Sequence, residues 1–103
     1  MPKYLLAYHG GSMPETEEQQ AQVMAAWERW YGELGSAIVD GGNPTAAAKT
    51  VTSDGVSDGG GANPVSGYTL INADSLELAA KAAQGCPILD AGGSVEVAET
   101  IEM

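Results

Sequence analysis

Apolar positions along this chain recur at two spacings, and the switches between them mark out the elements. Lys3 to His9 (Lys-Tyr-Leu-Leu-Ala-Tyr-His) is a near-continuous apolar run between Pro2 and Gly10, which predicts a strand covered on both faces. Tyr4, Leu6 and Tyr8 point one way, and Leu5, Ala7 and His9 the other. Gly10-Gly11-Ser12 breaks the strand. Beyond it Val23, Trp27, Trp30 and Leu34 recur every three or four residues, flanked by Ala26 and Tyr31, a wide stripe that faces a sheet. Two capping boxes offer a start for this helix, Ser12 with Glu15 and Thr16 with Gln19. Glu15, Glu17 and Glu18 complement the positive end of the helix dipole. Gly35 is the natural C-cap.

Ser36 to Asp40 reads as a short strand, ended by the turn signal Gly41-Gly42-Asn43-Pro44. Ala46 to Thr52 can be extended, and Asp54-Gly55 is a hairpin tip before Val56. Ser57 to Ser66 is rich in Gly, Ser, Asn and Pro and predicts a mobile surface loop. Gly67-Tyr68-Thr69-Leu70-Ile71-Asn72 suits a pleated, packed surface. Asp74 with Glu77 forms a capping box for a second helix with Leu76, Ala79, Ala80 and Ala83 on one face, closed by Gly85 and Pro87. Ser94 to Met103 alternates: Val95, Val97, Ile101 and Met103 share one face, with Glu99 interrupting it, while Glu96, Ala98, Thr100 and Glu102 share the other.

The order strand, helix, strand, hairpin, loop, strand, helix, strand predicts an α+β fold over residues 1–103 as a single domain. It is a ferredoxin-like antiparallel sheet with two helices on one face. The first strand is apolar on both faces, so the face without helices needs a cover. A second copy of the chain, sheet against sheet, is the simplest one, and a homodimer is expected.

Composition narrows the partners. Among the 103 residues, 14 acids against 4 bases leave a net charge of −10. Nucleic acid and anionic membrane surfaces are therefore poor partners, since both are held by Lys and Arg. Cys86 is the one cysteine, so no internal disulfide can form. A reducing, cytoplasmic setting is expected, in keeping with a first segment that lacks a signal peptide's long apolar run. No apolar run reaches the ~20 residues of a membrane span.

The chain resembles the YCII-related family, and within it the branch named for an Asp-Gly-Pro-Phe motif. The matching residues are Trp27 with Trp30-Tyr31 before Gly35, Val39-Asp40-Gly41-Gly42, Asp58-Gly59, Gly67-Tyr68-Thr69-Leu70-Ile71, Ala73-Asp74-Ser75-Leu76, Cys86-Pro87 and Gly92-Gly93-Ser94-Val95-Glu96-Val97. They span nearly the whole chain. The resemblance implies a dimeric α+β barrel. Some members of the family are proposed to be enzymes with a helix histidine and a loop aspartate near a cleft. This chain departs from the pattern twice. The branch motif stands here as Asp58-Gly59-Gly60-Gly61, followed by Ala62-Asn63-Pro64, and residues 15–34 contain no histidine. The family's acid–base pair therefore does not carry over.

The candidate site residues are His9, Asp58 and Asp40. His9, the one histidine, ends the first strand where a barrel mouth would lie. It can act as a general base or ligand hydrogen-bonder, or be satisfied by backbone. Asp40 ends the second predicted strand and Asp58 keeps the family's loop position; either could orient His9, or serve as a turn aspartate. One histidine and one cysteine are too few for a transition-metal site, and neither a metal nor a cofactor is expected. Gly10-Gly11-Ser12 before a helix is a weak anion cradle, without a third glycine or a phosphate lysine. Trp27, Trp30 and Tyr31 could line an aromatic pocket, but at helical spacing they read as core.

Two functions follow as expectations. One is a small organic molecule bound in a cleft beside the sheet, with cofactor-independent chemistry open to His9 as acid/base, Asp58 or Asp40 as its partner and Gly59–Gly61 as lid. The other is a non-catalytic dimerising module that acts through protein partners.

Overall fold

A computed structural model describes residues 2–102. In chain order it contains β1 (Lys3–His9), α1 (Glu17–Leu34), β2 (Ile38–Asp40), β3 (Lys49–Thr52), β4 (Gly55–Asp58), β5 (Val65–Asn72), α2 (Leu76–Ala83) and β6 (Ser94–Glu99). Four strands form an antiparallel sheet in the order β2-β5-β1-β6, with the long apolar β1 at its centre. This is the ferredoxin-like α+β topology that the element order predicts. β3 and β4 form a separate two-stranded ribbon, inserted between β2 and β5.

The alternation along β1 divides the sheet into two faces. Tyr4, Leu6 and Tyr8 are buried and lie across from Ile71, Thr69 and Gly67 on β5. The helices cover this face with Trp30, Ala79 and Ala83, and Cys86 and Ile88 close one end. Tyr8, Trp27 and Trp30 meet edge-on, at centroid separations of 5.2 to 6.4 Å, the geometry that aromatic quadrupoles favour. The Trp30 indole N–H donates to the Ala82 carbonyl at 3.1 Å and ties α1 to α2. The opposite face carries no helix. Its central rows are Leu5 between Leu70 and Ala98, and Ala7 between Tyr68 and Glu96.

Several boundaries differ from the sequence reading. Of the two capping boxes before α1, Thr16 with Gln19 is used: the Thr16 side chain accepts from the Gln19 amide, and Gln19 accepts in return from the Glu15 amide. Val23 lies outside the packed part of the stripe, while Trp30 is its buried centre. The cap of α2 is Ser75 rather than Asp74, because the Ser75 hydroxyl accepts from the Leu78 amide. The inward face of α2 is Ala79, Ala82 and Ala83, with Leu76 and Ala80 exposed. On this side the Ala82 carbonyl accepts from the Trp30 indole.

Gly35 does cap α1, but Gly85 has no left-handed backbone. A Cβ at Gly85 would stand 3.2 Å from the Trp30 ring, so this glycine serves packing. A 3-10 turn takes Gly35–Ala37 and shortens β2. β6 ends at Glu99, across from Tyr4, and Thr100 closes the edge by donating from its amide and its hydroxyl to the Lys3 carbonyl. Ile101 is exposed beyond it. Met103, expected on the same face, lies outside the described residues.

Candidate functional site

His9 is placed by an irregularity in the central strand pair. Tyr8 lies across from Gly67 but His9 lies across from Val65, so Ser66 is the extra residue of a β-bulge. Bulges re-aim neighbouring side chains and recur at sheet ends beside sites. On the other side His9 pairs with Ser94 of β6. The preceding Gly93 is a glycine of close approach: a Cβ there would stand 2.7 Å from the His9 carbonyl oxygen.

The His9 side chain is 13% exposed and lies between two hydrogen-bond acceptors. Nδ1 is 3.0 Å from the Asn63 carbonyl, which reaches over from the glycine-rich loop 59–64. Nε2 is 3.2 Å from Oε1 of Glu96, a carboxylate 69% exposed on the open sheet face. A neutral imidazole has one N–H and can donate to only one of them; both contacts are hydrogen bonds when the ring is doubly protonated. Beneath the bulge, Ser66 Oγ is buried with no hydrogen-bond partner.

The two aspartates singled out from sequence stand elsewhere. Asp40 Oδ1 accepts from the Gly42 amide at 2.9 Å, a turn-closing bond. Asp58 pairs with Lys49 at 2.6 Å across the base of the β3–β4 ribbon, and its side chain is 93% exposed. Neither meets His9 within the chain, where Glu96 takes the partner's place. Glu96 lay in the Gly92–Val97 match, but only the Ala7–Glu96 pairing brings it to His9. The loop expected over Ser57–Ser66 is shorter, because β4 runs to Asp58 and β5 begins at Val65. Thr45 binds the Val65 and Ser66 carbonyls and extends the pairing on that side. Gly10-Gly11-Ser12 does not open the helix directly, and the Ser12 amide is used by the Ala91 carbonyl.

The covered face holds a second polar network. The Tyr8 hydroxyl donates to Thr69 at 2.7 Å, Thr69 donates to the Gly41 carbonyl at 3.0 Å, and Tyr31 donates to the same carbonyl at 3.2 Å. Burial pushes the Tyr8 phenol well above its usual range. Burial also pushes the Cys86 thiol up to about 11, so it stays protonated at neutral pH and is a poor nucleophile. Trp27, Trp30 and Tyr31 belong to the core and its margin.

Among the described residues, no cluster of three or more His, Cys, Asp or Glu could hold a metal, and no helix is long and apolar enough to cross a membrane. Two shallow hollows of about 160 and 150 Å³ lie at the ribbon tip and between α1 and Pro87, away from His9. Both are below the ~300 Å³ of an ordinary ligand pocket.

No family model matches the chain, and no curated protein sequence does. Among solved structures, the chain is similar to a 5-chloro-2-hydroxyhydroquinone dehydrochlorinase (TftG) from Burkholderia phenoliruptrix AC1100, solved in complex with 2,5-dihydroxybenzoquinone. The TM-score is 0.56 at 19% identity, over 96% of this chain and 95% of that one. At that identity the likeness establishes a shared fold.

Proposed function

We propose that this chain is a YCII-like protein that binds a small oxygenated organic molecule on the open sheet face beside His9, in a cavity completed by a second copy. The observation that carries this reading is the placement of His9. The one imidazole sits at the end of the central strand, largely withdrawn from solvent, oriented by Glu96 and covered by a glycine loop. A carboxylate on one ring nitrogen fixes the tautomer and leaves the other nitrogen for a reacting proton. In the closed loop that nitrogen, Nδ1, faces Asn63, so the loop must lift before a ligand can reach it. Cofactor-independent proton transfer is the chemistry such a group supports.

Two further observations support the second copy. The face with Leu5, Ala7, Leu70 and Ala98 has no helix over it among the described residues, and the two hollows at the ribbon tip and beside α1 are too small for a drug-sized ligand. The shared fold with an enzyme solved with 2,5-dihydroxybenzoquinone makes planar hydroxylated rings the first ligands to try. The His9 ring signals, unique in the chain, are followed by NMR during titration with quinones, catechols and hydroquinones. Saturable ring shifts in the wild type, together with calorimetric binding of the same compound that is lost in His9→Ala, support the site. Ring signals indifferent to the whole panel reject it.

A second reading, a non-catalytic module acting through protein partners, is favoured by the β3–β4 ribbon. Val51 and Val56 pair across it and are 74% and 65% exposed. A stoichiometric protein partner lost on Val51→Lys, with no ligand at His9, selects this reading.

A further inference from the structure

We infer that His9 is a proton-operated clasp for the 59–64 loop: its charged form holds the loop closed over the sheet end, and its neutral form releases it. The inference stands on the two acceptors already described, and it holds whether or not the site turns over a substrate. The Asn63 carbonyl and the Glu96 carboxylate are both acceptors, so every hydrogen in the two contacts comes from the ring. The imidazolium donates to both. The neutral ring keeps one bond and turns a lone pair toward the other oxygen, which is repulsive at 3.0 to 3.2 Å. The carboxylate is the stronger acceptor of the two. The bond given up on deprotonation is therefore the one to Asn63.

The loop is built to respond. Its first residue is anchored, as the Gly59 amide donates to Ala48 and the Gly59 carbonyl accepts from Thr50. At its far end Val65 is locked in β5. Between them, among the described residues, the bond to His9 is the hydrogen bond found holding residues 60–64 to the rest of the chain. Gly59 and Gly61 both have positive φ, and glycine crosses φ/ψ space at low cost.

The groups facing the ring leave few rivals for the proton. β6 contributes Glu96 and the neutral Ser94, and β5 contributes Val65 and the Ser66 bulge. Tyr68 stands one row away beside Ala7. Tyr8 points to the opposite face, and residues 59–64 contain no titratable side chain. Asp58, at the loop's entry, is held by Lys49. Protonation of His9 and closure of the loop therefore favour each other. Closure is strongest while the imidazole carries both of its protons, and it is lost when one of them leaves.

The experiment uses the full chain without any ligand, so a missing substrate does not affect it. Backbone amides of residues 60–63 and the His9 ring are followed by ¹⁵N NMR from pH 5.5 to 7.5, in the wild type and in His9→Gln, which keeps one donor but does not titrate. The expected wild-type result is loop amide shifts that follow the ring's titration. Loop order parameters should fall from near 0.85 toward below about 0.6 as the proton leaves. His9→Gln should show neither change. Wild-type loop amides indifferent to pH would overturn the clasp. So would an equal pH response in His9→Gln, which would assign the response to Glu96 or Asp58.

Discussion

Tyr8 and Thr69 are joined by a 2.7 Å hydrogen bond in the buried layer between sheet and helices. Thr69 passes the interaction on to the Gly41 carbonyl, the turn that follows β2. Three segments far apart in sequence thus share one polar chain inside an apolar core, and every link in it is satisfied. Such networks are costly to break singly, because the group left behind stays buried and unpaired.

The first prediction is a double-mutant cycle on that pair. Tyr8→Phe and Thr69→Val should each lower stability by about 1–3 kcal/mol. The double variant should lose less than the sum, since it no longer strands a partner. Urea unfolding of the four proteins measures this; strict additivity would mean that the bond does not couple the two residues.

Two glycines with positive φ separate strain from clash. Gly42 has φ 72°, and a Cβ there would stand 1.7 Å from the Tyr68 carbonyl oxygen; Gly61 has φ 83° with open space around it. Gly61→Ala should cost about 1–2 kcal/mol, the steric cost of the left-handed backbone. Gly42→Ala should cost clearly more, because two backbones must part. Thermal midpoints of the two variants test the order.

Cys86 makes stability depend on alkaline pH. Its thiol is raised from 9.0 to about 11 by burial, so the folded state favours the protonated form. That contribution is complete below pH 9 and is lost as pH rises from about 9 to about 11. Cys86→Ala should flatten the fall of the urea midpoint over this window. An unchanged slope would assign the fall to the tyrosines, among which Tyr8 is shifted the same way.

The open sheet face predicts an oligomer. Leu70→Lys places a charge beside Leu5 on the uncovered face without touching the helix-covered core. The wild type should sediment as a dimer and Leu70→Lys as a folded monomer. A monomeric wild type at micromolar concentration would leave the apolar face to another partner.

Asp58 and Lys49 are both exposed, and such ion pairs contribute little. Asp58→Ala should change stability by less than about 1 kcal/mol. If it also leaves ligand-induced shifts at His9 intact, Glu96 is the carboxylate that matters to the ring.

Local chemistry determined the elements of this protein. The apolar run Lys3–His9 reads as a strand because nothing in it favours a turn, and both Gly35 and the Asp54-Gly55 tip stand where expected. The order of strands and helices left few topologies, and the ferredoxin-like sheet is the one adopted. Tertiary structure decided what depends on register and on neighbours distant in sequence. Ser75 rather than Asp74 caps α2, and the inward face of that helix takes Ala79, Ala82 and Ala83 against the core. The partner of His9 was illegible for the same reason. It stands 87 positions from Glu96 in the sequence, and their contact exists only because Ala7 pairs with Glu96 while a bulge shifts the other side. Periodicity specifies which face a side chain takes, but strand pairing specifies what it meets there. A one-residue change in register would have sent Glu96 to the opposite face.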